Sequence, residues 1–172
     1  MRDVNDPSHA SIPPSGIPPG AGSTAADTSF LESLVGYNAR RAALAIIAQV
    51  LPELQPYDLR VVEFSVLTVV AHNPGITSRQ VCAALDILPP NLVGLLRKLE
   101  QRGLIHKRAH PSDRRAQGLY VTDAGAQVQR AAQHAVAAVE QRALPHLSAA
   151  ERATLIALLR RVYQGSGAGT TR

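Results

Sequence analysis

The chain has 172 residues, which is enough for one compact domain with flanking tails. Apolar residues make up 45% of it, aromatic residues only 3%, and tryptophan is absent, which favours packed aliphatic helices over a β-sandwich. A single cysteine excludes an intrachain disulfide framework. Because the sequence has neither a signal-peptide pattern nor an apolar run long enough to span a bilayer, we expect a cytoplasmic protein without a membrane partner.

The net charge of +5 is concentrated in one short stretch. Residues 97–117 contain seven basic and two acidic residues, so this segment alone carries a charge of +5. Of the 18 basic and 13 acidic residues in the chain, 11 of each remain elsewhere, and the rest is neutral. A basic patch on a neutral body is expected of a surface that faces nucleic-acid phosphates. An unevenly charged solvent face is the alternative.

The two ends of the chain differ from its middle. Residues 1–27 and 165–172 lack apolar periodicity and are rich in small or polar residues, so we expect disordered tails there. The first helix is predicted to begin at the capping-box spacing Ser29-x-x-Glu32 and to end at Pro52.

Three more helices are predicted before the periodicity changes. The second follows Pro56 and ends at residues 73–75, where Asn-Pro-Gly stops it. Its predicted inward face is Leu59, Val62, Val66, Val69 and Val70. A capping box at Thr77-x-x-Gln80 predicts a short third helix, and a fourth runs from the proline pair 89–90 to Gly103.

The remaining elements are a β-hairpin and two helices. Residues 104–108 and 117–121 have strand character and are joined by a polar, basic loop, which predicts the hairpin. A long helix is predicted from Thr122 to Pro145, and a capping box at Ser148-x-x-Glu151 begins a last helix that ends at Tyr163.

The fourth helix has the pattern of a DNA-recognition helix. Its core-facing residues at helical spacing are Leu92, Leu95, Leu96 and Leu99. The opposite face carries small, polar and basic residues, namely Pro90, Asn91, Gly94, Arg97, Lys98 and Gln101. Any amphipathic surface helix has such a stripe, and it is the basic hairpin that follows which favours DNA. At the hairpin tip, arginines can enter a narrow minor groove, although a flexible charged turn is the alternative.

Several motifs resemble the multiple-antibiotic-resistance regulator (MarR) family over about residues 29–164. They are ITSRQVCAAL and LVGLLRKLEQRGLIHKRAHPSDRRAQGLYVTDAG. The resemblance implies a mainly α fold with a small β-hairpin wing. It divides the chain into a winged helix-turn-helix at 56–122 and dimerisation helices at 28–55 and 123–164.

The resemblance also implies which residues contact double-stranded DNA. The expected contacts are Thr77, Ser78, Arg79, Pro90, Asn91, Val93, Gly94, Arg97, Lys98, Arg108, His110, Arg114 and Arg115. Asp113 is expected to shape the wing by pairing with an arginine. The chain departs from the family at Pro90, where Ser or Thr is common, and at Gly94, where a larger polar residue is frequent. These departures put individual base contacts in doubt and leave the groove assignment in place.

A homodimer follows from the last two helices as well as from the resemblance. They carry more apolar surface than one small winged domain can cover: Val128, Ala132, Ala135, Val139, Leu155, Leu158, Leu159 and Val162. A two-fold dimer would bury this surface and place two recognition helices about one DNA turn apart, so a near-palindromic operator is expected.

The family implies a small-molecule effector near the first two helices. The candidates here are Tyr37, Asn38, Arg40, Arg41, Tyr57, Phe64 and His72. An arginine at the edge of an apolar pocket can clamp a carboxylate, which suggests an aromatic or heteroaromatic acid or its thioester. Structural salt bridges of Arg40 and Arg41 are the alternative.

Other classes of protein find little support in the sequence. No catalytic motif is present, and we expect neither an enzyme nor a cofactor. His106 and His110 have a metal-like spacing, but a strand and a loop do not make them converge, so we expect no metal. A winged-helix module that binds protein instead of DNA would expose apolar anchors at its wing, where this chain has arginines.

Overall fold

The computed structural model describes residues 26–109 and 117–166. The helices are α1 (Ser29–Glu32), α2 (Val35–Leu54), α3 (Val61–His72), α4 (Ser78–Leu85), α5 (Pro89–Gln101), α6 (Asp123–Ala143) and α7 (Ala149–Ser166). The strands are β1 (Ile76–Thr77), β2 (Ile105–Ala109) and β3 (Gln117–Val121), in the antiparallel order β1-β3-β2. The predicted fold class, mainly α with a small β-hairpin wing, is confirmed. The predicted tails lie mostly outside the described residues.

The first predicted helix is two helices, and its predicted start was wrong. Thr28, rather than Ser29, is the N-cap residue of α1, and its hydroxyl donates to Glu32 at 2.6 Å. The chain then breaks between α1 and α2. The side-chain amide of Asn38 donates to the carbonyls of Glu32 at 2.7 Å and Leu34 at 2.8 Å. The break is therefore stabilised because its carbonyls find a side-chain donor.

The predicted stop at Pro52 was also wrong, because α2 continues to Leu54. A proline inside a helix removes one hydrogen bond and costs about 3 kcal/mol. Here Val50 and Leu54 on either side of it are buried in the core, and their packing holds the last turn. A 3-10 turn at Gln55–Tyr57 follows and leads into α3.

The inward face of α3 contains most of the predicted residues but differs from the prediction at Val62, Glu63 and Leu67. Leu59, Val66 and Val70 are buried as predicted, and Val69 is half-buried, whereas Val62 is 37% exposed. The buried stripe instead begins at Glu63 and continues through Leu67. Apolar residues surround nearly the whole of α3, so hydrophobicity alone could not define its buried face.

The winged helix-turn-helix has its own core, to which most of its elements contribute. The core residues of this region are Leu59, Val66, Leu67, Val70, Val81, Leu92, Leu96, Leu99, Leu104, Ile105 and Leu119, and Leu54 and Ala132 join them from α2 and α6. The capping box of α4 is confirmed, with the Gln80 N–H donating to Thr77 Oγ1 at 3.3 Å and the Thr77 N–H donating to Gln80 Oε1 at 2.9 Å. Gly103 ends α5 in the left-handed region at φ +67°, as predicted.

Strand β1 was not predicted, since two residues are too few for a periodicity. Its Ile76 pairs with Leu119 and its Thr77 pairs with Gly118 of β3. A Cβ atom on Gly118 would lie 2.9 Å from the carbonyl oxygen of Gly75, so only glycine allows this approach. A glycine inside a predicted strand was the one sequence signal for this third strand.

The amino end of α6 is joined to the carboxyl end of α5. The predicted cap is confirmed, because Thr122 Oγ1 accepts from the Gly125 N–H at 2.9 Å and donates to the Gly103 carbonyl at 2.6 Å. The Thr122 N–H also donates to the Leu104 carbonyl at 3.0 Å. A Cβ atom on Gly125 would lie 1.9 Å from that same carbonyl oxygen, so the three segments meet at van der Waals distance.

The last helix is the least packed of the described elements. Its capping box is confirmed, with the Ser148 N–H donating to Glu151 at 2.8 Å, but the helix extends beyond Tyr163 to Ser166. α7 makes only slight contact with the other elements, and its large apolar side chains are mostly exposed. Within the described part of the chain, no helix has both the length and the apolar character needed to cross a membrane.

Candidate nucleic-acid interface

Helices α4 and α5 form a helix-turn-helix whose second helix has one buried and one exposed face. Leu92, Leu96 and Leu99 are buried against the core, and Leu95 is half-buried. These residues recur at the spacing that the sequence predicted for the core-facing side of a recognition helix. The other face of α5 is therefore free to enter a groove.

That outer face is open to solvent along its length. The predicted contact residues on it, namely Pro90, Asn91, Val93, Gly94 and Arg97, are all exposed. Val93 is 66% exposed, which is unusual for an aliphatic side chain at the centre of a helix. A Cβ atom on Gly94 would meet nothing within 4 Å, so no contact inside the chain requires glycine at this position.

The amino end of α4 presents two of its three predicted contact residues. Ser78 and Arg79 are exposed beside the start of α5. The hydroxyl of Thr77, in contrast, donates to Gln80 Oε1 at 2.8 Å and accepts the Gln80 N–H. The Thr77 side chain is thus already engaged in capping α4.

Arg108 of strand β2 lies beside a pair of stacked side-chain rings. In the β2–β3 register, His106 lies opposite Tyr120, and their rings stack with centroids 5.7 Å apart. The Arg108 guanidinium lies 5.8 Å from the Tyr120 ring centroid, within the range of a cation–π contact. This stacking fixes the direction in which the exposed Arg108 leaves the sheet. The predicted tip residues His110, Asp113, Arg114 and Arg115 lie outside the described residues.

Lys98 does not share the open face of its neighbours. Its Nζ lies 2.9 Å from Oε1 of Glu63, a carboxylate of α3 that is 1% exposed. Burial raises the pKa of Glu63, but the Arg60 backbone N–H and the Lys98 ammonium outweigh it, so the pKa lies below its ordinary value. Sequence reasoning missed this pair, and the only signal was an acidic residue within an apolar helix.

Arg102 makes a second polar link between α5 and the start of α3. Its guanidinium donates to the carbonyl of Tyr57 at 2.8 Å and to the carbonyl of Asp58. Asp58 is in the left-handed region at φ +49°, where its carbonyl turns towards α5. No sequence pattern predicted this link, because its partners are more than 40 residues apart.

The cations of this surface fall into two groups. Lys98, Arg102 and Lys107 each pair with a carboxylate of the chain. Arg79, Arg97 and Arg108 form no ion pair within residues 26–109 and 117–166. The second group lies on α4, α5 and β2, and these are the elements that surround a groove-binding helix. The predicted interface therefore offers three arginines whose charge is not neutralised by a carboxylate of the described residues.

The predicted effector residues are not brought together within one chain. Tyr37, Arg40 and Arg41 lie near the start of α2, whereas Tyr57 follows its end, about 25–30 Å away along the helix. Arg40 and Arg41 are exposed and form no ion pair among the described residues of one chain.

The other three effector candidates have partners in the fold. Asn38 caps the α1–α2 break, and Phe64 packs against the core. His72 is exposed at the end of α3, with Nδ1 2.9 Å from the Thr68 carbonyl oxygen. Among residues 26–109 and 117–166, no group of three or more histidine, cysteine, aspartate or glutamate side chains is placed to hold a metal ion.

A helix-turn-helix followed by an antiparallel hairpin, with free arginines on the exposed faces of both, defines a winged helix-turn-helix DNA-binding protein. The MarR family model matches residues 57–116, which include α3, α4, α5 and β2 and end before β3. A solved structure of the transcriptional repressor CouR bound to a 23-mer DNA duplex is 33% identical, with a TM-score of 0.76 over 81% of this chain and 99% of that one. The chain belongs to the MarR family.

Two further proteins are similar to this one. CouR from Rhodococcus jostii RHA1, solved bound to p-coumaroyl-CoA, is 25% identical, with a TM-score of 0.69 over 77% of this chain and 93% of that one. A putative transcriptional regulatory protein for the hcr operon of Thauera aromatica is 37% identical over 101 residues, which are 59% of this chain and 61% of that relative's length. These relatives are transcriptional regulators, and the chain is a MarR-type transcriptional regulator rather than an enzyme.

Proposed function

We propose that the protein is a ligand-responsive repressor that binds a near-palindromic operator as a homodimer. The observation that carries the proposal is the pairing of an open, cationic α5–wing face with a large uncovered apolar face on α1, α2 and α7. The first face fits one DNA half-site, and the second fits another copy of the chain. A protein-binding winged helix or a nonspecific DNA-binding protein is the alternative.

On DNA, the outer face of α5 would occupy the major groove. Asn91 is suited to adenine, and the exposed methyl groups of Val93 are suited to the methyl group of thymine. Gly94 would allow the helix backbone to approach the bases closely. Arg97, with Ser78 and Arg79 of α4, would contact phosphates along the groove.

The wing would contact the adjacent minor groove. Arg108, exposed beside the Tyr120 ring, would reach the phosphates, and the tip residues His110, Arg114 and Arg115 would extend this contact. Asp113 would pair with an arginine and shape the tip. Thr77 and Lys98 have partners within the chain, so the proposed contacts do not include their side chains.

The dimer is supported by exposed apolar surface at both ends of the chain. Exposed side chains in the helical elements are Phe30, Leu31, Leu34, Val35, Leu44, Ile47, Leu51, Ile156, Leu158, Leu159 and Tyr163. Exposed apolar residues concentrated on three helices, rather than scattered singly over the surface, are expected of an interaction surface. We therefore propose residues 28–55 and 123–164 as the dimerisation region and 56–122 as the winged helix-turn-helix.

The effector is proposed to be an aromatic or heteroaromatic carboxylate or its thioester. Support comes from R. jostii CouR, which was solved with an aromatic acyl-CoA, and from the exposed Arg40 and Arg41 on α2. These cations could clamp a carboxylate or a phosphate of coenzyme A. Effector binding between the dimerisation region and the winged helix-turn-helix would favour a distance between the two recognition helices that no longer fits the operator half-sites. Repression would then be released.

DNA binding by the purified protein tests the first half of the proposal. The probes are the DNA upstream of its own gene, duplexes selected from a random pool, and a scrambled duplex, each at two salt concentrations. We expect tight, salt-sensitive binding with a clear preference for one sequence. Equal weak binding to all duplexes would support the nonspecific alternative, and no binding at low salt would support the protein-interaction module.

Effector release tests the second half. p-Coumaroyl-CoA, free aromatic acids and, as a matched control, an aliphatic acyl-CoA are titrated into the preformed DNA complex. We expect an aromatic compound to lower DNA affinity at least tenfold, and an Arg40→Gln/Arg41→Gln variant to require more of it. If all compounds of this class leave affinity unchanged, the proposed effector class is wrong.

A further inference from the structure

The buried carboxylate of Glu63 is not explained by packing. It is the N3 residue of α3 and accepts the Arg60 backbone N–H in a capping box, but it is 1% exposed, whereas a carboxylate is rarely fully buried unless it is paired. Replacing a buried ion pair by apolar residues is often neutral or stabilising, so the Glu63–Lys98 pair is weak evidence of a role in stability. Its partner belongs to the proposed recognition helix, which points to a role in DNA binding.

Glu63 pairs with the Lys98 ammonium and is itself fixed by a backbone hydrogen bond. One carboxylate oxygen accepts the Arg60 backbone N–H at 2.9 Å, which fixes the Glu63 rotamer, and the other lies 2.9 Å from Lys98 Nζ. The Lys98 side chain remains 42% exposed. An open groove lies beside it, bounded by Pro52 and Gln55, so the ammonium has room to move if Glu63 releases it.

The adjacent cation on α5 has no such restraint. Arg97 is exposed and forms no ion pair within the part of the chain that the structure describes. Arg97 and Lys98 therefore have the same formal charge on neighbouring positions of one helix, one available to phosphates and one neutralised. Arg102, one turn further, is also held, by the carbonyls of Tyr57 and Asp58.

We propose that Glu63 is a specificity-determining positioning residue, which neutralises Lys98 and keeps it from DNA phosphates while anchoring the carboxyl half of α5. The inference rests on the proposed placement of α5 in the major groove. Phosphate contacts strengthen binding to every sequence alike, whereas base contacts distinguish sequences. Neutralising one lysine therefore lowers affinity for every sequence by a similar factor, whereas anchoring α5 fixes the angle at which Asn91 and Val93 reach the bases and so determines which sequence is preferred.

The test compares the full-length wild-type protein with Glu63→Gln on a selected operator duplex and a scrambled duplex, across several salt concentrations. Glutamine keeps the size of the side chain and its hydrogen bond from Arg60, but removes the charge that holds Lys98. We expect affinity for the scrambled duplex to rise about three- to tenfold at low salt, with a salt slope steeper by about 0.9 per protomer. The operator-to-scrambled affinity ratio should fall about tenfold.

Two matched variants separate this role from a purely structural one. Arg97→Met should make the wild-type salt slope shallower by about 0.9 per protomer, whereas Lys98→Met should leave it unchanged. The double variant Glu63→Gln/Lys98→Met should return to the wild-type slope, because the released lysine is then absent. The Lys98→Met result can be obtained even if Glu63→Gln folds poorly.

Two results would overturn the inference about Glu63. One is a Lys98→Met variant that loses as much salt dependence as Arg97→Met, because Lys98 would then already bind phosphate. The other is a folded Glu63→Gln variant with unchanged slope and unchanged affinity ratio. A wild-type protein without sequence preference would overturn the operator-binding proposal itself, and an Arg97→Met variant without effect would overturn the placement of α5.

Discussion

Two regions of this chain differ in how their apolar side chains are buried: the winged lobe, residues 56–122, and the helical lobe, residues 28–55 and 123–164. In the winged lobe, the leucines of α5 are buried by α3, α4 and the hairpin of the same chain. In the helical lobe, α1, the outer side of α2 and α7 leave large aliphatic and aromatic side chains in solvent. In the dimer that we propose, the first region is completed by folding of one chain and the second by association of two chains. DNA binding with useful affinity would then depend on the lobe that does not contact DNA.

The largest expected effect comes from a charge placed in the helical lobe. Leu158→Glu puts a carboxylate in the exposed apolar face of α7, where it would be buried on dimerisation. We expect a monomer by analytical ultracentrifugation and a loss of operator affinity of about 100-fold or more, because two half-sites are no longer engaged together. Ala157→Glu, on the opposite face of α7, is the control and should remain dimeric. A dimeric Leu158→Glu protein would contradict the proposed interface.

A cavity in the winged lobe should affect folding instead. Leu99→Ala removes a fully buried side chain of α5, and we expect the free energy of unfolding to fall by about 2–5 kcal/mol in urea denaturation at fixed protein concentration. Leu88→Ala, at a 69% exposed position before the same helix, should change it by less than about 0.5 kcal/mol. Equal losses for the two variants would mean that the core of this lobe is not where we place it.

The Glu63–Lys98 pair predicts a pH dependence of stability. Because the folded-state pKa of Glu63 is below its ordinary value of 4.5, its contribution is fully present above pH 4.5. It is lost as the pH falls through the lower folded-state value. At pH 7 we expect Glu63→Gln to be less stable by about 1–3 kcal/mol, below the cost of breaking a fully buried pair, since Lys98 is partly exposed. The difference between wild type and variant should vanish in acid, and a constant difference down to pH 2 would refute this origin.

The smallest expected effect distinguishes stability from DNA binding at one residue. Gly94→Ala meets open space in a helix interior, so it should stabilise the protein by about 0.5–1 kcal/mol. If the backbone of α5 approaches the bases there, the same change should reduce operator affinity several-fold. Thermal unfolding and anisotropy on one preparation measure both. An unchanged affinity would place Gly94 away from DNA.

Much of the fold could be predicted because its signals are local. The capping boxes at Thr77-x-x-Gln80 and Ser148-x-x-Glu151 each involve residues three apart, and the structure contains both. The switch from helical to alternating periodicity after Gly103 likewise located both strands of the hairpin to within one residue. Such features depend on neighbouring residues, whose interactions sequence spacing describes directly.

The errors and omissions concern interactions between distant residues. Pro52 was expected to stop a helix, but burial of Leu54 on a surface built by other elements holds the helix past it. The Glu63–Lys98 pair joins residues 35 positions apart, so the helix face of Lys98 gave no sign of it, and a DNA contact of Lys98 stays a prediction. The effector candidates were chosen by residue type and by their nearness in the sequence to the first two helices. Within one chain, the 20 residues of α2 separate those at its start from Tyr57 after its end. No local pattern encodes any of these distances.

The contacts at Thr122 and Gly125 allow α6 to transmit a rotation from one of its ends to the other. Because these residues bind the start of α6 to the backbone at Gly103 and Leu104, the helix cannot tilt there without carrying the end of α5 and the root of the wing. α6 has 21 residues and is about 31 Å long. A rotation of about 10° at its far end, among the proposed dimer contacts, would move the near end by about 5 Å, more than the 3.4 Å rise between base pairs. A ligand could therefore shift the recognition helix out of register without deforming the winged lobe at all.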